Sequence, residues 1–144
     1  MKKILLTAAM AMVCAASQAA SDGAPLWLRN TAISPDGNTI AFTFRGDIYT
    51  VPYTGGQATR LTTVDAYDSS PVWSPDGKQI AFSSNRNGST DIFIVDANGG
   101  QPRRLTTHSG SETPLAFAGD KIIFTGNIMP SQKAINGYVF PQLY

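Results

Sequence analysis

The densest group of chemically capable side chains is "TTHSGSE", Thr106 to Glu112. It sets the single histidine, His108, beside Ser109, Ser111 and Glu112. A base, a hydroxyl and a carboxylate are the parts of a nucleophilic triad, in which the imidazole takes the serine proton and the acid holds the imidazole. Triad members normally converge from separate elements, and neighbours in one loop rarely reach that geometry. No G-x-S-x-G elbow accompanies them. Metal chemistry has little to work with, because Cys14 is the only cysteine, there is no second histidine, and the acids are scattered. The "TGG" and "NGG" runs suit turns between strands rather than a phosphate-binding loop. The sequence therefore predicts no catalytic, cofactor-binding or metal-binding residue in this chain.

The elements around these residues are defined by an internal repeat. "ISPDGNTIAF" at Ile33–Phe42 returns as "WSPDGKQIAF" at Trp73–Phe82, a step of 40. "RLTT" at Arg60 returns at Arg104, a step of 44. The four extra residues fall where "FTFRGDIY" becomes "FSSNRNGSTDIF", so one hairpin loop has grown. A third copy begins at "TPLAFAGDKIIF", one residue shorter in the turn and without Pro-Asp-Gly. In the first two units Pro-Asp-Gly makes a tight turn, the glycine taking a positive φ. "DIFIVDA" is a continuous apolar strand buried on both faces, and "PRRLTT" alternates as a half-exposed edge does. Asp47 and Asp91 are expected to cap turns by accepting backbone N–H bonds.

Four short antiparallel strands recurring every 40 to 44 residues describe a propeller blade. A single blade cannot bury both faces, so the second copy supplies a wall for the first. Ile40 and Phe42, like Ile80 and Phe82, are expected to face the next blade. The fold class is all-β: a partial β-propeller of two four-stranded antiparallel blades and an incomplete third, preceded by a signal peptide. The predicted divisions are 1–19 signal peptide, 25–63 N-terminal strand and first blade, 64–107 second blade, and 108–144 the start of a third. A closed ring takes about four to eight blades, so the chain is expected to be the N-terminal part of a longer protein. His108 follows "RLTT" where Val64 does one unit earlier, which makes it an interblade link residue. Asp68, His108 and Glu112 lie in such links and are the candidates for a substrate-lining rim, although solvated loop acids are the plainer account of the two carboxylates. Trp27, Trp73 and Tyr67 offer a stacking surface, but Trp73 fits an inward strand position better.

The first residues argue for export. Lys2 and Lys3 precede "ILLTAAMAMVCAA", an apolar run too short to span a bilayer, and "SQAAS" permits cleavage after Ala19. Cys14 sits within the apolar run behind Met12 and Val13, which argues against a lipid anchor. Cleavage removes the only cysteine and leaves nine Lys and Arg against ten acids. That balance gives no electrostatic reason to expect nucleic acid or an anionic membrane as partner. The predicted location is periplasmic or secreted.

The stretch "WSPDGKQIAFSSNRNGSTDIFIVDANGGQPRRLTT" resembles the WD-like propeller repeat of the Tol–Pal translocation protein, prolyl-oligopeptidase-type peptidases and tricorn-type peptidases. "PLWLR" followed by "AISPDGNTIAFTFRGDIYTVP" is most similar to the opening of exported tricorn-like serine peptidases, and "RLTTHSGSETP" to their link between second and third blades. The resemblance implies a propeller that guides or gates peptide or unfolded-protein substrates toward a serine peptidase domain far downstream, with the remaining blades as further partners. The nucleophile and its supporting residues belong to that domain and are not matched here. The alternative from another class is a non-catalytic periplasmic propeller that binds proteins or glycans.

Overall fold

A computed structural model describes residues 27–127 and the backbone of 142 and 143. The predicted signal peptide and most of the chain beyond 127 lie outside the described residues.

Among the described residues, eleven strands form three antiparallel sheets. The first contains β1 (Leu28–Ile33), β2 (Thr39–Phe44), β3 (Asp47–Pro52) and β4 (Thr59–Arg60), in that order. The second contains β5 (Asp68–Trp73), β6 (Gln79–Asn87), β7 (Ser89–Asp96) and β8 (Arg103–Arg104). In the third, β10 (Lys121–Gly126) pairs on one side with β9 (Glu112–Ala118) and on the other with β11 (Gln142–Leu143). Strand β5 lies against both β1 and β9, so the first strands of successive sheets run side by side.

The repeat is kept in backbone detail. Gly37 and Gly77 close the Pro-Asp-Gly turns at φ of 75° and 68°. In each turn the serine hydroxyl bonds an aspartate oxygen, Ser34 to Asp36 at 2.5 Å and Ser74 to Asp76 at 2.7 Å. The same hydroxyls accept the N–H of Thr39 and Gln79, both at 2.9 Å. A bulge breaks the first pairing of both sheets at equivalent places, with Asn30 and Ser70 at φ of 49° and 54°. Arg45 and Gly46, both at positive φ, form the two-residue turn that a twisted hairpin favours. The four-residue insertion lengthens β6 and β7 past the point where β2 and β3 stop.

Sheet faces follow from the core. One cluster joins Ala41, Ile48 and Leu61 of the first sheet to Trp73, Ile80, Phe82, Phe93 and Val95 of the second. Ile80 and Phe82 therefore face the preceding blade, not the next. Period-2 alternation then places Ala81, Ser83, Ile92 and Ile94 toward the third sheet. By the same alternation Ile40 and Phe42 turn away from the second sheet, and Ala41 and Thr43 meet it. The repeat fixes which positions share a face, but not which neighbour that face meets. As expected, Trp73 is an inward residue, and its indole N–H donates to the Ala32 carbonyl across the interface at 3.1 Å. Ile92 to Val95 are all buried, as a strand covered on both faces requires.

The third unit departs from the expected alignment. Glu112 pairs with Gly126 as Asp68 does with Ser84, and Phe117 pairs with Ile122 as Trp73 does with Ile80. The turn is thus two residues shorter than Ser-Pro-Asp-Gly-Lys-Gln, not one.

Candidate functional site

Carboxylates gather where β3, β7 and the first strand of each following sheet begin. Asp47 and Asp91 were expected to cap turns, but both are arginine partners. Arg60 reaches Asp47 Oδ2 at 2.8 Å, and Arg104 reaches Asp91 Oδ2 at 2.8 Å. The same guanidinium groups donate through Nε to the carbonyls of Thr62 and Thr106, both at 2.7 Å. The threonine hydroxyls in turn accept the N–H of Ile48 and Ile92, at 3.0 and 2.9 Å. "RLTT" is therefore a clasp: it ties each two-residue outer strand to the apolar strand beside it. Sequence reasoning found the motif without its partner, because the acid lies 13 residues upstream on the adjacent strand.

Asp68 and Glu112 are not solvated loop acids. They are the first residues of β5 and β9, exposed by 0% and 1%. Arg86 grips Asp68 with one nitrogen, at 3.1 Å to Oδ1 and 2.9 Å to Oδ2. Its guanidinium also lies over the rings of Phe93 and Phe82, 4.5 and 5.5 Å from their centroids. Arg86 belongs to the inserted residues, which sequence reasoning assigned to a plain turn. Glu112 accepts a short hydrogen bond from the Thr106 hydroxyl, and its backbone carbonyl accepts one from Ser83 Oγ at 2.9 Å.

His108 lies in the link between β8 and β9 and is exposed. Its Nδ1 accepts the Gly110 N–H at 3.1 Å, and its carbonyl accepts the Ser89 hydroxyl at 3.1 Å. The "HSGSE" run thus does not converge on a triad: the imidazole faces solvent and the carboxylate of Glu112 is spent on Thr106. Of the three rim candidates, His108 alone presents its side chain to water. Among the described residues no group of three or more His, Cys, Asp or Glu side chains gathers to hold a metal ion.

A cleft of about 770 Å³ opens on the opposite rim. Its walls come from both Pro-Asp-Gly turns, from Thr50 and Thr59 of the first sheet, and from Trp73 and Asn98 of the second. Asp36 and Asp76 are held below the ordinary carboxylate value, first by the Ser34 and Ser74 hydroxyls and then by the N–H groups of Asn38 and Lys78. A carboxylate with a lowered value stabilises the fold above the ordinary range and loses that contribution as pH falls through the lowered value. The double variant Asp36→Asn/Asp76→Asn should melt below the parent at neutral pH. The gap should close in acid, below about pH 4, in paired thermal melts.

A family model described as the tricorn protease N-terminal β-propeller domain matches residues 25–138. The chain belongs to that family. Within the tricorn propeller family it is 36% identical over 88 residues to tricorn protease homolog 1 of Streptomyces coelicolor, covering 61% of this chain and 8% of that protein. Among solved structures, a putative TolB from Agrobacterium tumefaciens superposes with a TM-score of 0.61 at 32% identity, over 65% of this chain and 36% of the other. The tricorn protease superposes with a TM-score of 0.55 at 17% identity, over 80% of this chain and 12% of its own, a likeness of fold alone. The chain thus spans less than two-fifths of each of these relatives.

Proposed function

We propose that this tricorn-family propeller forms the N-terminal part of an exported serine peptidase, and that it guides or gates peptides toward a catalytic domain encoded downstream. The observation that carries the reading is the family match over residues 25–138, joined to the likeness to a tricorn protease homolog. The geometry is compatible with a scaffold role. The acids at the strand ends are consumed in clasps, and "HSGSE" does not assemble. Ile33 stands where Trp73 stands one unit later, yet it is 66% exposed against 9%. A further blade of the same propeller would cover it. The leader-like start of the chain supports a periplasmic or secreted location.

The likeness to TolB at 32% identity favours a second reading, a non-catalytic periplasmic scaffold. Reading the coding sequence past Tyr144 separates the two. A serine peptidase domain supports the first, and further blades followed by a stop support the second. Hydrolysis of a fluorogenic peptide by the present chain, abolished in His108→Ala, would overturn both.

A further inference from the structure

The cleft between the two Pro-Asp-Gly turns carries acids and no base. Asp36 and Asp76 line it, and no lysine or arginine does. Among the described residues Asp36 pairs with no cation, and Asp76 has only Lys78 Nζ, 3.8 Å from its Oδ2 on a side chain that is 80% exposed. Serine hydroxyls and backbone N–H groups hold both carboxylates below their ordinary value, so both are charged at neutral pH. The turns stand close together, for a Cβ on Gly77 would meet Pro35 Cδ at 3.7 Å. Each aspartate is the chain neighbour of one of those residues, so a ligand entering the cleft meets both.

The second observation is a hydroxyl. Thr50 is only 8% exposed and lines the cleft, and its Oγ1 makes no hydrogen bond among the described residues. It stands opposite Ala41 in the β2–β3 ladder, the place that Ile94 holds opposite Ala81 in the second sheet. An apolar side chain thus serves the fold at that position, and the hydroxyl is left for another partner. The remaining walls include Pro35, Val51, Pro52, Pro75 and Ala97, which suit an aliphatic stem. The second interface lacks the combination, because Ile94 replaces Thr50 and the third unit has no Pro-Asp-Gly turn. Two separated carboxylates and a buried hydroxyl call for a cation with several N–H donors. A guanidinium offers five in one plane and is less firmly hydrated than an ammonium.

We propose that this cleft receives an arginine side chain presented by a partner polypeptide. Its guanidinium lies between Asp36 and Asp76 and donates to Thr50 Oγ1, while its methylene stem lies along the proline walls. The volume of about 770 Å³ leaves room for the residues on either side of that arginine. The site goes beyond the peptide-guiding reading and stands whether or not a peptidase domain lies downstream.

The test is a calorimetric titration of the whole chain at low salt with N-acetyl-Ala-Arg-Ala amide, whose ends carry no charge. The same peptide with citrulline keeps the shape without the charge, and spermidine is a third arm that represents a free polyamine. The arginine peptide is expected to bind at least tenfold more tightly than the citrulline peptide, and more tightly than spermidine. Asp36→Asn and Asp76→Asn should each weaken it threefold or more, measured below the variants' melting temperatures. Asparagine still offers an oxygen to the serine hydroxyl, so the turn is kept and the charge alone is lost. Thr50→Val should weaken binding threefold or more at the parent's melting temperature, because that hydroxyl holds nothing in the free protein. Equal binding of the arginine and citrulline peptides overturns the proposal. So does unaltered affinity in both aspartate variants, or tighter binding of spermidine than of the peptide.

Discussion

Arg86→Met should lower the unfolding free energy by about 3–5 kcal/mol, the cost of leaving a buried charge without its partner. Asp68 has no exposed surface, and the Arg86 side chain is only 11% exposed at a separation of 2.9 Å. Solvent therefore does little to screen either charge. The remaining loss comes from the guanidinium's contact with the Phe93 and Phe82 rings. Urea unfolding followed by circular dichroism measures the effect directly. The double variant Asp68→Asn/Arg86→Met should recover much of the loss, because a neutral buried amide replaces an orphaned carboxylate. A double variant as weak as the single one would mean that ring contacts, not the ion pair, dominate.

Phe82→Ala should cost a similar amount, about 3–5 kcal/mol, from lost burial and the cavity left behind. Phe82 is 0% exposed in the cluster that joins the first two sheets, its ring 6.1 Å from that of Phe93. Phe42 holds the same repeat position, yet it stacks on Tyr49 outside that cluster. Phe42→Ala should therefore be the milder change, and equal losses would show that the assignment of faces is wrong. Phe82 and Arg86 touch, so their single-variant losses should not add.

These contrasts mark how far the sequence could be read. Blades, their order and the grown hairpin were legible, because "SPDG" and "RLTT" recur at nearly one period and each recurrence carries its own turn chemistry. Inward Trp73 and the doubly covered strand at Ile92–Val95 were legible from local apolar pattern alone. Which neighbour Ile80 and Phe82 meet was not, since period 2 separates two faces without saying which one comes first. The roles of Asp47, Asp68, Asp91 and Glu112 were misjudged for one shared reason. The partners of Asp47, Asp68 and Asp91 lie on other strands and that of Glu112 six residues back in its own link, and an acid beside a turn looks the same whether it faces water or a protein partner. Arg86 was missed because it sits in an Asn- and Gly-rich insertion that resembles a loop.

The arginine clasp on β4 and β8 carries one more consequence. Each of those strands makes only two ladder pairings, so the arginine ion pair and the threonine hydroxyl carry much of its hold on the sheet. The Arg60 side chain is 45% exposed, and a mobile salt atmosphere can weaken its grip, whereas strands such as β6 have no comparable dependence. The perimeter of each wedge is thus its loosest seam. Amide protons should escape there first, and sooner as ionic strength climbs, while the axial strands stay shut.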